Sequence, residues 1–186
     1  MLYEEVRNLM NRYPQYSDIK SFIETGTQFG LTIFEMSKFF DNCTTIELSE
    51  GHWGNAVEKA KQKNVTNINF VLGDSAEKLN EVLKDVNESC VFFLDGHHCG
   101  KTTDSLATKG DIEVPLYEEL KSINELHNFD SLIIIDDSRL IGKKLPDQDL
   151  DWGNITFEGL LSCLNSDRIL TSFEENDRFI IYIKKN

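Results

Sequence analysis

Five short apolar runs constrain the fold of this chain more than any other feature: Ser21 to Thr27 (SFIETGT), Cys43 to Ser49 (CTTIELS), Ile68 to Gly73 (INFVLG), Cys90 to Asp95 (CVFFLD) and Ser131 to Asp136 (SLIIID). Each is rich in β-branched or aromatic residues and is closed by Gly, Asp or Ser, the pattern of a strand buried on both faces. Between them lie amphipathic stretches. Ala76, Leu79, Leu83 and Val86 recur at helical spacing, and so do Leu116, Leu120, Ile123 and Leu126 behind Pro115, a residue suited to a first helical turn. Strand and helix in alternation predict an α/β fold, a mostly parallel sheet with helices on both faces and right-handed crossovers.

The tail departs from that alternation. Arg168 to Phe173 and Phe179 to Ile183 are strand-like, and only Glu174, Glu175, Asn176, Asp177 and Arg178 separate them. Five polar residues cannot hold a crossover helix, so the pair is expected to form an antiparallel hairpin. Ahead of the first run, Leu2 to Tyr16 reads as a helix over the core or the site. Two irregular stretches, Gly96 to Val114 and Ser138 to Asn154, are long enough to be functional loops. With 186 residues the chain is one domain (1-186), a helix over 1-17 preceding a core over 18-186.

Charge narrows the partners. Lys and Arg total 19 against 32 Asp and Glu, a net charge of -13, so no nucleic acid and no anionic membrane surface is expected as a partner. No apolar run approaches the roughly 20 residues that span a bilayer, and the acidic start MLYEEVRNLMNRY is unlike a signal peptide, which leads to a cytoplasmic expectation. Cys43, Cys90, Cys99 and Cys163 form no C-x-x-C pair and are expected to be reduced thiols. A zinc site on His97, His98 and Cys99 lacks a second ligand pair at finger-like spacing.

Open parallel sheets bind ligands at the carboxyl ends of their strands. Those ends carry Glu24 with Gly26 and Gly30, then Glu47, Asp74, Asp95, and Asp136 with Asp137, so successive strands deliver carboxylates to one edge. The turn Glu24-Thr25-Gly26-Thr27-Gln28-Phe29-Gly30 has G-x-x-x-G and not G-x-G-x-x-G, and an acid precedes its first glycine. Such a turn repels an anion and welcomes a cationic amino group. Glu47 stands at the distance expected of a carboxylate that receives ribose hydroxyls. Asp74 and Ser75 open a helix, where they serve an adenine amino group or cap the helix. His52 and Trp53 could flank an adenine or belong to the core, and Trp152 could line an acceptor pocket. His127 fits a favourable charge at a helix C-terminus.

Three carboxylates, Asp95, Asp136 and Asp137, would repel one another by about 4 kcal/mol per pair at about 4 Å and an effective dielectric of about 20. Arg139 and Lys101 are the evident cations nearby, so protons or a divalent ion are expected to neutralise the set. Oxygen ligands alone favour Mg²⁺, Mn²⁺ or Ca²⁺. Asp136 and Asp137 can share an ion only if their strand has ended, because neighbours on a strand face opposite ways. His97, with an ordinary pKa of about 6.5, could take a proton from an acceptor hydroxyl, and His98 is its rival. Lys101 and Lys109 could meet an anionic acceptor or stay solvated.

FIETGTQFG, TTIELSE, FVLGDSAEKL, FFLDGHH and LIIIDDS, in that order, resemble the class I S-adenosylmethionine-dependent methyltransferases over about Ile19 to Lys184. Within that superfamily ETGT, LDGHH and the DD pair are similar to the macrocin/mycinamicin and aminocoumarin sugar O-methyltransferases. The resemblance implies a Rossmann-like seven-stranded sheet in the order 3-2-1-4-5-7-6, with strand 7 antiparallel. It implies S-adenosylmethionine as cofactor, held by Glu24, Gly26, Thr27 and Gly30, by Glu47, by Asp74 with Ser75, and by Asp95. It also implies a divalent metal, Mg²⁺ foremost, on Asp95, Asp136 and Asp137. His97 stands where that group has an acidic general base, which leaves the catalytic role between His97 and His98. The implied reaction is metal-assisted methylation of a small-molecule hydroxyl, a sugar or sugar-bearing metabolite, with a homodimer as a conceivable assembly. The rival readings are an NAD(P)-dependent Rossmann oxidoreductase, which the missing G-x-G-x-x-G disfavours, and a non-catalytic binding protein that retains the fold.

Overall fold

The five runs become five parallel strands, β1 (Ser21–Thr25), β2 (Asn42–Glu47), β3 (Ile68–Leu72), β4 (Cys90–Leu94) and β5 (Ser131–Ile135), in a computed structural model that describes residues 1–100 and 104–185. Lys101, named above as a loop cation, lies outside the described residues. A two-residue ribbon, β6 (Lys144–Leu145) against β7 (Leu150–Asp151), interrupts the chain before β8 (Ile169–Glu175) and β9 (Arg178–Ile183) complete the main sheet. Its order is β3-β2-β1-β4-β5-β9-β8. Without the ribbon this is the expected 3-2-1-4-5-7-6, and the last strand alone runs against β5. Each of the five parallel strands stops one or two residues short of the apolar run that predicts it, because the closing Gly, Asp and Ser residues belong to the turns.

The hairpin is tighter than five polar residues suggest. β8 runs on to Glu175 and β9 begins at Arg178, which leaves a two-residue turn of Asn176 (φ 51) and Asp177 (φ 61). Both adopt the left-handed conformation that matches the twist of paired strands, and Asn and Asp tolerate it.

Alternation along the central strands divides the core into two layers. Phe92, Leu94, Ile133 and Ile135 face α4 (Ser75–Leu83) and α5 (Leu116–Leu126), with Leu160 of α6 (Phe157–Ser162) beside them. Val91, Phe93, Leu132 and Ile134 face α1 (Tyr3–Met10), α2 (Leu31–Met36) and the end of α3 (Glu50–Gln62). The expected helix over Leu2 to Tyr16 is shorter, ending at Met10, with a separate 3-10 turn at Pro14–Tyr16. Pro14 lacks the amide hydrogen that a continuing helix needs. Two tyrosines tie this segment to the last strand: Tyr16 donates to the Ile183 carbonyl (3.1 Å) and Tyr182 to the Leu9 carbonyl (2.7 Å).

Candidate functional site

The carboxyl ends of β1 to β5 open onto a cavity of about 650 Å³. Gly26, Glu47, Asp74, Ser75, Asp95, His97, His98, Asp136 and Asp137 all line it. Glu24, Thr27 and Gly30 do not. β1 continues through Thr25, so Glu24 lies inside the sheet, where it accepts from Thr45 Oγ1 (2.7 Å). Burial, only partly opposed by that hydrogen bond, holds its carboxyl well above the ordinary range. A sealed side chain whose ionisation burial disfavours is a poor receptor for a cationic amino group. Thr27 is buried with its hydroxyl on Thr45, and Gly30 (φ 70) is the left-handed residue that starts α2.

What the turn does instead is carried by Glu47. Its Oε2 accepts from the amides of Thr27 (2.9 Å) and Gln28 (2.8 Å), and its Oε1 from Ser49 (2.7 Å). The amides that a phosphate-binding turn would offer to a ligand are thus turned onto a carboxylate. Gly26 (φ 81) is indispensable to the close approach of this turn: a Cβ there would sit 2.2 Å from the Asp95 carbonyl oxygen. Asp74 caps α4, its Oδ1 accepting from Ala76 (2.9 Å), and lines the cavity as well.

Next along the edge, β5 ends at Ile135 and Asp137 takes a left-handed φ of 57, which turns the Asp pair out of strand geometry. The two then part. Asp136 Oδ1 faces Arg178 Nε at 3.2 Å, while Asp137 lies between Arg139 and His97. Burial and the neighbouring Asp95 raise the Asp136 pKa against the pull of Arg178, whereas the His97 contact lowers that of Asp137. The expected three-carboxylate cluster is therefore divided by arginines. Arg139 also meets Asp177, from the hairpin turn. Among the described residues no group of three His, Cys, Asp or Glu side chains closes around one point as a metal site.

His97 occupies the centre of what remains. Its side chain is 5% exposed, and Nε2 lies 3.2 Å from Asp95 Oδ1 and 3.3 Å from Asp137 Oδ2. Those separations allow charge attraction, yet Nε2 aligns a hydrogen bond with neither oxygen. Burial favours the neutral ring, but the Asp137 and Asp95 carboxylates outweigh it and hold the pKa at about 10. At neutral pH such a ring already carries the proton, so His97 has no free lone pair with which to take another from an acceptor. Trp152, expected at the acceptor pocket, is instead buried with its ring edge-on to His97, centroids 4.7 Å apart. His98 lines the cavity with its buried Nε2 free of a hydrogen-bond partner, 3.5 Å from Asp149 Oδ2.

Residues that the motifs did not flag complete the site. Glu119 of α5 is 0% exposed beneath the Asp95–His97 turn, and neither of its carboxylate oxygens has an aligned partner. Burial raises its pKa to about 7, against weaker opposing contributions from Ser75 and Thr25. Arg178 and Asp177 arrive because β9 runs antiparallel and so begins at the edge where β5 ends. That signal was in the hairpin, one step beyond the motif. His52 Nε2 contacts Asp104 (2.8 Å) and lines the cavity, while Trp53 donates to the Phe70 carbonyl (3.2 Å) as a core residue. Lys109 pairs with Glu113. His127 is no helix-end charge: burial lowers its pKa to about 4, and Nε2 is 2.7 Å from Ser131 Oγ. No helix of the described residues is long and apolar enough to cross a membrane.

No protein-family model and no curated protein matches the sequence. Solved structures do match in fold. An O-methyltransferase from Bacillus cereus in complex with S-adenosylhomocysteine is 15% identical, with a TM-score of 0.65 over 97% of this chain and 81% of that one. An S-adenosylmethionine-dependent methyltransferase from Aquifex aeolicus is 13% identical, with a TM-score of 0.54 over 97% of this chain and 87% of that one. The chain therefore has the Rossmann-like methyltransferase fold.

Proposed function

We propose that this protein transfers a methyl group from S-adenosylmethionine to a hydroxyl of a small molecule, with a saccharide or sugar-bearing metabolite as the acceptor class. The observation that carries this reading is the Glu47 carboxylate drawn onto the amides of Thr27 and Gln28. It makes the first turn of the sheet acidic, a lining for an amino group or sulfonium and not for a pyrophosphate. The fold shared with methyltransferases, one of them bound to S-adenosylhomocysteine, supports the same cofactor. The dinucleotide alternative would need those amides free.

Gly26 and Glu47 would then bound the methionine and ribose parts of the cofactor, with Asp74 and Ser75 near the adenine between Leu48 and Ile112. A cavity of about 650 Å³ suits a cofactor of that size together with a small acceptor. Arg139, Lys143 and Gln148 supply hydrogen-bond donors on the acceptor side, with Leu145 and Leu150 between them. His98, whose Nε2 has no hydrogen-bond partner, is the side chain left to receive the acceptor proton, and its backbone is fixed by a bond from its amide to the Glu113 carbonyl (2.9 Å). The chain's residues act by orienting acceptor oxygen and methyl carbon and by excluding water. The described residues do not close around the divalent ion that the resemblance implies: Asp136 is engaged with Arg178, and Asp137 lies against Arg139 and His97.

Titration calorimetry with S-adenosylhomocysteine and NADH in parallel tests the cofactor, and transfer of labelled methyl to a panel of sugars and glycosides tests the acceptor. Micromolar binding of S-adenosylhomocysteine and none of NADH is expected; the reverse overturns the proposal. His98→Ala should lower turnover at least tenfold with cofactor affinity unchanged.

A further inference from the structure

We propose that Arg139 and Arg178 take the place, in this chain, of the divalent ion that the sequence resemblance implies: the two guanidiniums neutralise the carboxylates of the acceptor edge, and the site holds its acceptor without a metal. The inference deepens the reading above and rests on it for the acceptor, although not for the arrangement of charge.

Charge is the first argument. Asp95, Asp136 and Asp137 line the cavity where β4 and β5 end, and like charges gathered on one edge need a cation among them. Arg178 Nε lies 3.2 Å from Asp136 Oδ1, and Arg139 Nη1 meets both Asp137 Oδ1 and Asp177 Oδ2. A guanidinium keeps its charge at any pH a folded protein meets. Both cations are therefore permanent, and a divalent ion brought between them would face like charge on two sides.

Coordination is the second. An ion held by carboxylates needs their lone pairs aimed at one point. Here Asp136 Oδ1 is turned to Arg178 and Asp137 Oδ1 to Arg139. Between Asp95 and Asp137 stands an imidazole nitrogen, His97 Nε2, 3.2 Å from Asp95 Oδ1 and 3.3 Å from Asp137 Oδ2.

The fold also fixes the arginines in place. The Arg139 amide donates to Asp177 Oδ1 (2.9 Å) and the Ser138 amide to the Asp177 carbonyl (3.0 Å), so the hairpin turn anchors the segment that carries Arg139. Arg178 opens β9 with its side chain 16% exposed, and its Nη1 donates to Glu5 Oε1 of α1 (3.4 Å). The two ends of the chain thus hold guanidiniums at an edge built by its middle. Arg139 lines the cavity too, and a guanidinium carries five N–H donors in one plane. It is a positioning residue: while it covers Asp137, its plane of donors is what orients an acceptor oxygen by hydrogen bonds where an ion would do so by coordination.

The test titrates Mn²⁺ into the metal-stripped full chain and reads free Mn²⁺ by electron paramagnetic resonance. No saturable site is expected in the parent. Arg139→Gln combined with Arg178→Gln should create one, with affinity at least tenfold above the parent's, and adding Asp137→Asn should abolish the gain, with folding verified by circular dichroism. Arg139→Gln alone, at an exposed position that a folded chain tolerates, should raise Mn²⁺ affinity at least threefold. A saturable Mn²⁺ site in the parent, or no gain in the folded Arg139→Gln protein, overturns the proposal. Methyl transfer by the parent should stay within twofold in excess EDTA, and its loss there would also overturn it. Titration with S-adenosylhomocysteine is independent of the Mn²⁺ measurements. The expected Mn²⁺ behaviour without S-adenosylhomocysteine affinity would overturn the functional reading and leave the arginines' role in charge standing, and the converse would do the opposite.

Discussion

Gly26 and Glu119 show how much at this site depends on single positions. At Gly26 any side chain meets both a left-handed φ, which costs a non-glycine residue about 1–3 kcal/mol, and the Asp95 backbone. Gly26→Ala should therefore destabilise the protein by at least about 2 kcal/mol, read as a lowered urea midpoint, and weaken S-adenosylhomocysteine binding. Glu119 predicts a pH dependence. Its carboxyl titrates near 4.5 in the unfolded chain and near 7 in the fold, so its contribution to stability is complete below pH 4.5 and is lost as pH rises to about 7. That loss is about 3 kcal/mol at about 1.4 kcal/mol per pH unit. The neutral amide of Glu119→Gln should remove it. Relative to the parent, the variant should gain stability between pH 5 and pH 7.5 in denaturant titrations, and a constant difference would show that the carboxyl is already ionised.

At the scale of elements, the long loop after β4 is fastened to α3. Asp104 meets His52 from that helix, and Leu106 lies so close to Gly51 that a Cβ there would come within 2.8 Å of it. Ala107, Thr108, Gly110 and Ile112 then wall the cavity on the side assigned to adenine. His52→Ala should free this wall. Limited proteolysis should cut between Asp104 and Gly110 several times faster than in the parent, and added S-adenosylhomocysteine should restore part of the protection. Equal cleavage rates would mean that the loop is held elsewhere. The apolar periodicity of Leu116 to Leu126 identified α5, but nothing in it distinguished Glu119 from a solvated acid. Only the packing of α5 under the β4 turn buries that residue.

For the whole molecule, the antiparallel β9 lies between β5 and β8, its side chains from Phe179 to Ile183 buried in both core layers. A chain ending at Asp167 would leave β5, whose five residues are all buried, as a bare apolar edge. It should be recovered in the insoluble fraction, whereas removal of Lys185 and Asn186 alone should change little. Much of this architecture is legible in the residues themselves. Alternating apolar runs and amphipathic stretches determine a parallel sheet, and the acids that close those runs determine which edge is charged, because both depend on local pattern and on chain direction. The pairing of charges along that edge depends on neither. Glu24 is sealed because β1 extends one residue past it, and Glu47 turns to the amides of another strand's loop. Asp136 and Asp137 separate because one strand stops and another, reversed, brings in Arg178. Such partners are far apart in sequence and meet only when the sheet is assembled, so the tertiary structure alone decides which carboxylates remain free to hold a ligand.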